Sequence, residues 1–302
     1  MAPSPAHQWG QILGFVLERA VAPRLQDAAD RNRVFLDQFG NRPARAKKKK
    51  VRWKDEYGNN HDLDYVFERN GTSEVLGDPV AFIEIAWRRY TKHSKNKAQE
   101  IQGAILPLRD AYYKTAPFLG AIVAGEYSEP SLVQMRSHGF HVIYMDYATV
   151  LEAFETVGID ASTDEGTSLS DLAVKVKAWG RLSGDQRVLV ADRLVELNLH
   201  QFDEFISKLD LALRRTLERV HVIPLHGNPV EMRTLNEATS FVREYDDLVA
   251  IGVFQKYELR IIYNNGDEIR GEFSTKDAAI SFLADVAKDH SDGGASNPLG
   301  RH

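Results

Sequence analysis

The stretch DLDYVFERNGTSEVLGDPVAFIEIAWRRYTKHSKNKAQEI, residues 62–101, decides how the chain is read. Two strand-like runs, each with a carboxylate, flank a turn, and a basic, polar segment then opens a helix. Side chains alternate faces along a strand, so Asp62, Asp64 and Val66 share one face of the first run. By the same rule Glu84, Ala86 and Arg88 share one face of the second. If the two strands are neighbours, Asp64 and Glu84 meet near the sheet edge, with Asp62 the alternative in a shifted register. Phe82, Ile83, Ile85 and Trp87 surround Glu84 with apolar surface, where an unpaired carboxylate is costly. The bland alternative is an edge-strand charge that discourages aggregation. Two close carboxylates repel unless something neutralises them. A hard divalent cation such as Mg²⁺ does so through oxygen ligands. It also lowers the pKa of a water it binds and polarises a phosphodiester, while a nearby lysine steadies developing charge.

Working outward, residues 9–39 read as a helix. Ile12, Leu13, Val16, Leu17 and Ala20 recur at helical spacing, and Leu25, Val34, Leu36 and Phe39 extend the pattern less regularly. Pro23 is expected to kink or split it. NRPARAKKKK (41–50) reads as a loop with a charge run, solubilising or clamping a DNA backbone. VRWKDEYGNNHDLDYVFE comes next as a hairpin turning at Gly58-Asn59-Asn60, in which Trp53 and Tyr57 read as core or hairpin residues before base-stacking ones. Ser94 is a candidate cap for a helix over 95–114 that Pro107 bends. FLGAIVAGEY and FHVIYMDY are buried strands, with a short helix before the second and another after it. This half is α/β with a mixed sheet.

Composition shifts at IDASTDEGTSLSD, residues 159–171, the best linker candidate. Residues 168–219 read as helical, and 220–289 as a small α+β unit with a hairpin YELRIIYNNGDEIRGEF, whose Asn265-Gly266 predicts a type I′ turn. The expected domains are therefore 1–158, a linker and helical segment over 159–219, a small domain over 220–289, and a disordered tail over 290–302.

Composition sets further bounds. The 302 residues, 43% of them apolar, suffice for a real core and more than one domain. A net charge of −5 means that any nucleic-acid contact comes from local patches. With no cysteine, disulfides, thiolate zinc sites and cysteine nucleophiles drop out, which suits a reducing cytoplasm. The N-terminal residues predict no signal peptide, and no apolar run predicts a membrane span. HExxH, the phosphate-loop GxxxxGK[ST], GxSxG and GxGxxG motifs are missing, against the common protease, nucleotidase, hydrolase and dehydrogenase readings. His138 and His141 straddle Gly139 and read as surface or core residues before a zinc pair.

Residues 10–155 resemble the PD-(D/E)XK nuclease superfamily, the restriction-endonuclease-like fold. Glu18 in FVLERA matches the glutamate often carried by its first helix, Asp64 in HDLDYVF its metal-binding aspartate, and Glu84-Ile85-Ala86 part of its E-x-K. Lys97, Gln99 and Glu100 in SKNKAQEI match the polar helix that comes after it. The resemblance implies an αβββαβ mixed-sheet core and a Mg²⁺-dependent DNA endonuclease, with Mn²⁺ able to substitute. Asp64 and Glu84 would hold the metal. No proline precedes Asp64, and Ala86 stands in the lysine slot. The family is known to relocate that lysine to the following helix, which makes Lys97 the candidate, with Lys92 and Lys95 as rivals, and Glu100 a further acid. Arg88, Arg89, Lys92 and Lys95 in RRYTKHSKNK read evenly as a solvated face or a phosphate-contacting rim. Double-stranded DNA, a homodimer and a cognate methyltransferase are the implied partners, in restriction or another anti-phage defence. The competing expectation is a catalytically inactive DNA-binding or scaffold subunit of a defence or repair complex. A third is an RNA or single-strand nuclease using the same residues.

Overall fold

The computed structural model describes residues 3–46, 48–224, 230–246 and 254–291, with the backbone alone at 91–94 and 289–291. Of the tail expected over 290–302, residues 290 and 291 belong to a helix that ends at Ser291, and 292–302 lie outside the described residues. Two compact units form, Met1–Ala111 with Phe118–Asp210, and Tyr112–Pro117 with Leu211–His302.

In the first unit, helix α1 (Pro5–Asn32) starts at Ser4, whose hydroxyl accepts from the His7 amide, and Pro5 sits where its missing N–H costs nothing. The helix runs on past Pro23, because buried Leu17 and Val21 before it and Leu25, Ala28 and Ala29 after it hold both turns in the core. It ends earlier than the apolar pattern suggests. Arg33 is left-handed (φ 55°), and Phe35–Gln38 leave the helix to form strand β1. Strands β2 (Val51–Lys54) and β3 (Asn60–Leu63) make a separate two-stranded hairpin. The chain bends at Asp64, so the single strand expected over this region is two, with β4 (Tyr65–Arg69) joining the main sheet. Strand β5 (Asp78–Arg88) is next, then helix α2 (Thr91–Ala111), β6 (Phe118–Gly125), α3 (Glu129–Ser137), β7 (Phe140–Asp146) and α4 (Tyr147–Glu155).

The sheet order is β1-β4-β5-β6-β7. β1 and β5 pair antiparallel with β4, while β5–β6 and β6–β7 are parallel, so the fold is α/β with a mixed sheet. Every residue of β6 is buried, as a central parallel strand covered on both faces requires. Residues 159–210, read in sequence as linker and helices, belong to this unit, with α5 (Leu169–Gly180), α6 (Gly184–Leu197) and the start of α7 (Leu199–Leu213). Trp179 of α5 packs 5.5 Å from the Phe154 ring, which lies 5.6 Å from Trp9 of α1.

The second unit holds β8 (Leu217–Pro224), β9 (Val230–Met232), α8 (Leu235–Glu244), β10 (Tyr257–Tyr263), β11 (Glu268–Phe273) and α9 (Lys276–Ser291). Its sheet is antiparallel in the order β11-β10-β8-β9, with Val220, Val222, Leu259, Ile261 and Ile269 buried against Ala238, Val242, Leu283 and Val286. The β10–β11 turn differs from the expected type I′. Gly266 alone has positive φ (89°) and its amide donates to the Tyr263 carbonyl at 2.9 Å, the pattern of a type I turn with a glycine bulge after it.

Candidate active site

The site lies where β4 parts from β5. Their last pair is Tyr65↔Ile83, and beyond it side chains replace the ladder. The Ile85 amide donates to Asp64 Oδ2 at 2.8 Å, and the Asp64 amide donates to Glu84 Oε1 at 3.1 Å. These reciprocal bonds fix both carboxylates side by side on rigid backbone. Glu84 is 7% exposed. Its pKa is raised, first by burial and then by the charge of Asp64, and burial raises Asp64 as well. Asp62, the alternative in a shifted register, points away. It pairs with Arg52 at 2.6 Å and Lys50 at 2.8 Å, and these cations, Arg52 foremost, pull its pKa down to about 2.

Lys97 Nζ, on the second turn of α2, stands 3.8 Å from Glu84 Oε2 and 3.7 Å from Glu100 Oε2. The slot left by Ala86 opens onto the same cleft. Glu100 sits at the rim, also 3.9 Å from Arg88 Nη2. The carboxyl of Glu18 is raised by desolvation and by the charge of Asp64, although the residue keeps an exposed surface. The basic residues part company. Arg88 lines the cleft. Arg89 is turned away, its guanidinium 4.0 Å over the Tyr147 ring and hydrogen-bonded to Thr163 at 3.0 Å. Lys95 is exposed, and the side chain of Lys92 lies outside the described residues. His138 bonds Gln102 at 2.5 Å and His141 stacks 4.4 Å from Phe118, so neither histidine faces the other across a shared ligand.

The cleft, of ≈ 490 Å³, has a wall that sequence reasoning missed. One face of α1 supplies Ala6, His7, Gly10, Gln11 and Gly14 opposite Asp64, Glu84 and Lys97. A Cβ at Gly10 or Gly14 would meet nothing within 4 Å. The spacing of these residues, with Glu18 one turn further, was the available signal; which sheet end that helix face meets was not.

Buried oxygen donors with a shared excess of negative charge suit a hard cation, Mg²⁺ or Mn²⁺, over a soft one. Among the described residues no group of three or more His, Asp or Glu side chains converges. A two-carboxylate site fits Mg²⁺, which keeps waters and takes substrate phosphate as further ligands. No helix of the described residues is long and apolar enough to cross a membrane. No family model, curated protein or solved structure matches the chain.

Proposed function

We propose that the chain is a Mg²⁺-dependent endodeoxyribonuclease with a restriction-endonuclease-like core, acting in restriction or another anti-phage defence. One observation carries this reading: Lys97 lies 3.8 Å from the buried Glu84 that is backbone-locked beside Asp64, in an open cleft. The element order and the antiparallel-then-parallel sheet support it. Asp64 and Glu84 would hold the cation, which supplies activated water and charge neutralisation at phosphate. Lys97, delivered by α2 into the space that Ala86 leaves, places a positive charge where the phosphodiester gains negative charge. The Ile85 and Asp64 amides keep the carboxylates from turning away, and Glu100 and Arg88 set the orientation of the Lys97 ammonium.

The test is incubation of the purified chain with plasmid and phage DNA, methylated and unmethylated, with Mg²⁺ or Mn²⁺, beside Glu84→Ala. Metal-dependent cutting lost in Glu84→Ala is the expected result. DNA bound but never cut would replace this reading with the inactive-subunit one, which Ala86 in the lysine slot favours. RNA cut in place of DNA would move the substrate class.

A further inference from the structure

We propose that the β2–β3 hairpin is an arm that grips the DNA backbone beside the Asp64–Glu84 site, with Tyr57 at its tip contacting bases. The identity of the polymer rests on the nuclease reading; the arm itself rests on four separate observations.

The first is charge. Lys48, Lys49, Lys50, Arg52 and Lys54 are all exposed, in a chain whose net charge is −5. Asp62 balances Lys50 and Arg52, while Lys48, Lys49 and Lys54 have no ion pair among the described residues. A cationic row beside an acidic site is what a polyanion needs to approach buried carboxylates.

The second is rigidity. Strand alternation turns Val51, Trp53 and Leu63 inward, all buried, with Trp53 edge-on to Phe82 of β5 at 6.4 Å. Arg52 and Lys54 therefore project from an anchored strand, with Lys50 just before it, which lowers the ordering cost of holding phosphate.

The third is the tip. Asp55 accepts from the amides of Tyr57 at 3.0 Å and Asn59 at 2.8 Å, from the Asn59 side chain at 3.0 Å, and lies 3.0 Å from His61 Nε2. Gly58 supplies the positive φ (82°) that the turn requires. The result is a Tyr57 ring that is 82% exposed on a braced loop. An aromatic ring presented this way meets bases at a groove or as a wedge between base steps.

The fourth is continuity. Leu63 ends β3, Asp64 is next, and Tyr65 begins β4, so arm and carboxylate share one chain segment. At the rise of an extended strand, Tyr57 lies about 15–20 Å from Asp64, a span of about five base steps.

The experiment is fluorescence anisotropy of a short fluorescein-labelled DNA duplex with the full chain in Ca²⁺, over a range of salt. It compares wild type, Lys49→Glu/Lys54→Glu, Tyr57→Ala and, as a control for charge reversal elsewhere on the surface, Lys208→Glu, and each variant is also assayed for cutting with Mg²⁺. The double reversal is expected to weaken binding at least about tenfold and to flatten the salt dependence by about two phosphate contacts. Tyr57→Ala is expected to weaken binding about fivefold or more with the salt slope unchanged, and Lys208→Glu to bind as wild type. Arm variants that bind like wild type, while wild type cuts and Glu84→Ala does not, would overturn the arm and leave the nuclease standing. Loss of binding in the arm variants of a protein that cuts nothing would uphold the arm and remove the nuclease. Wild type that binds no DNA, or that prefers duplex RNA, overturns the arm.

Discussion

In the proposed function Glu84 is the residue on which the chemistry turns, and its protonation depends on its setting. Burial and the charge of Asp64 raise its pKa, so without a cation the pair retains a proton where ordinary carboxylates are ionised. A group whose folded pKa is raised in this way binds more protons folded than unfolded, so stability falls as pH rises from the usual glutamate range through the raised value. Glu84→Gln keeps the oxygen that accepts from the Asp64 amide and removes the charge. In metal-free buffer at alkaline pH it should unfold about 1–2 kcal/mol harder than wild type, a gain that fades in mild acid. The same melts with Mg²⁺ should show a stabilisation in wild type that the variant lacks, growing with pH because the cation displaces the proton. A Tm that drops in the variant, or an Mg²⁺ effect that grows in acid, would contradict this account of the pair. Asp64 and Glu84 were legible in sequence because both sit on short apolar runs. Asp64 was preferred to Asp62 in sequence, but the bend at Asp64 that parts β3 from β4 was not legible, since no alternation pattern contains it.

At the scale of elements, α1 is both wall and core. Its Gly10 and Gly14 face open cleft, so Gly14→Ala should stabilise the helix by about 0.5–1 kcal/mol, as alanine does for an exposed helical glycine. Gly14→Leu should fold as well and lose most cutting, since its side chain enters the cleft; chemical denaturation and nicking rates on the same preparations separate the two effects. The other end of β4 is held by buried charge. Arg42 donates to Glu68 Oε1 at 2.5 Å and Oε2 at 2.9 Å, and pairs with Asp37 at 2.9 Å; all three are at most 4% exposed. Arg42→Met should cost about 3–5 kcal/mol in urea unfolding, because it leaves buried Glu68 without a cation and Asp37 with Arg45 alone, at 3.2 Å; a loss below about 1 kcal/mol would show that the network is not paired. Neither β1 nor this network was legible. Phe35–Gln38 is too short to show a period, and its apolar residues prolong the spacing of α1, so only the left-handed Arg33 marks the break. The hairpin turn at Asn265-Gly266 was located by its residues, but its type depended on the Tyr263–Gly266 bond.

For the whole molecule, apolar patterning revealed the α/β class and the composition shift near residue 159, but not that residues 159–210 pack into the first unit. Leu172 and Trp179 lie on the apolar face of α5, but only packing shows that Trp179 meets Phe15 of α1 and Phe154 of α4. The segment Tyr112–Pro117 belongs with the second unit because Arg215, 7% exposed, donates to the carbonyls of Thr115 and Ala116 and pairs with Asp267 at 2.6 Å. Such a long-range bond leaves no local trace. The proposed function of the chain rests on Lys97 taking the role of a lysine that position 86 lacks. The rate of Mg²⁺-dependent nicking of supercoiled plasmid by wild type, Lys97→Ala and Lys97→Ala/Ala86→Lys tests this most directly. Lys97→Ala should cut about 10²–10³-fold more slowly, and the double variant should recover at least about tenfold of that loss, since position 86 opens on the same cleft. Wild type that leaves the plasmid intact, or Lys97→Ala that cuts as fast as wild type, would contradict it.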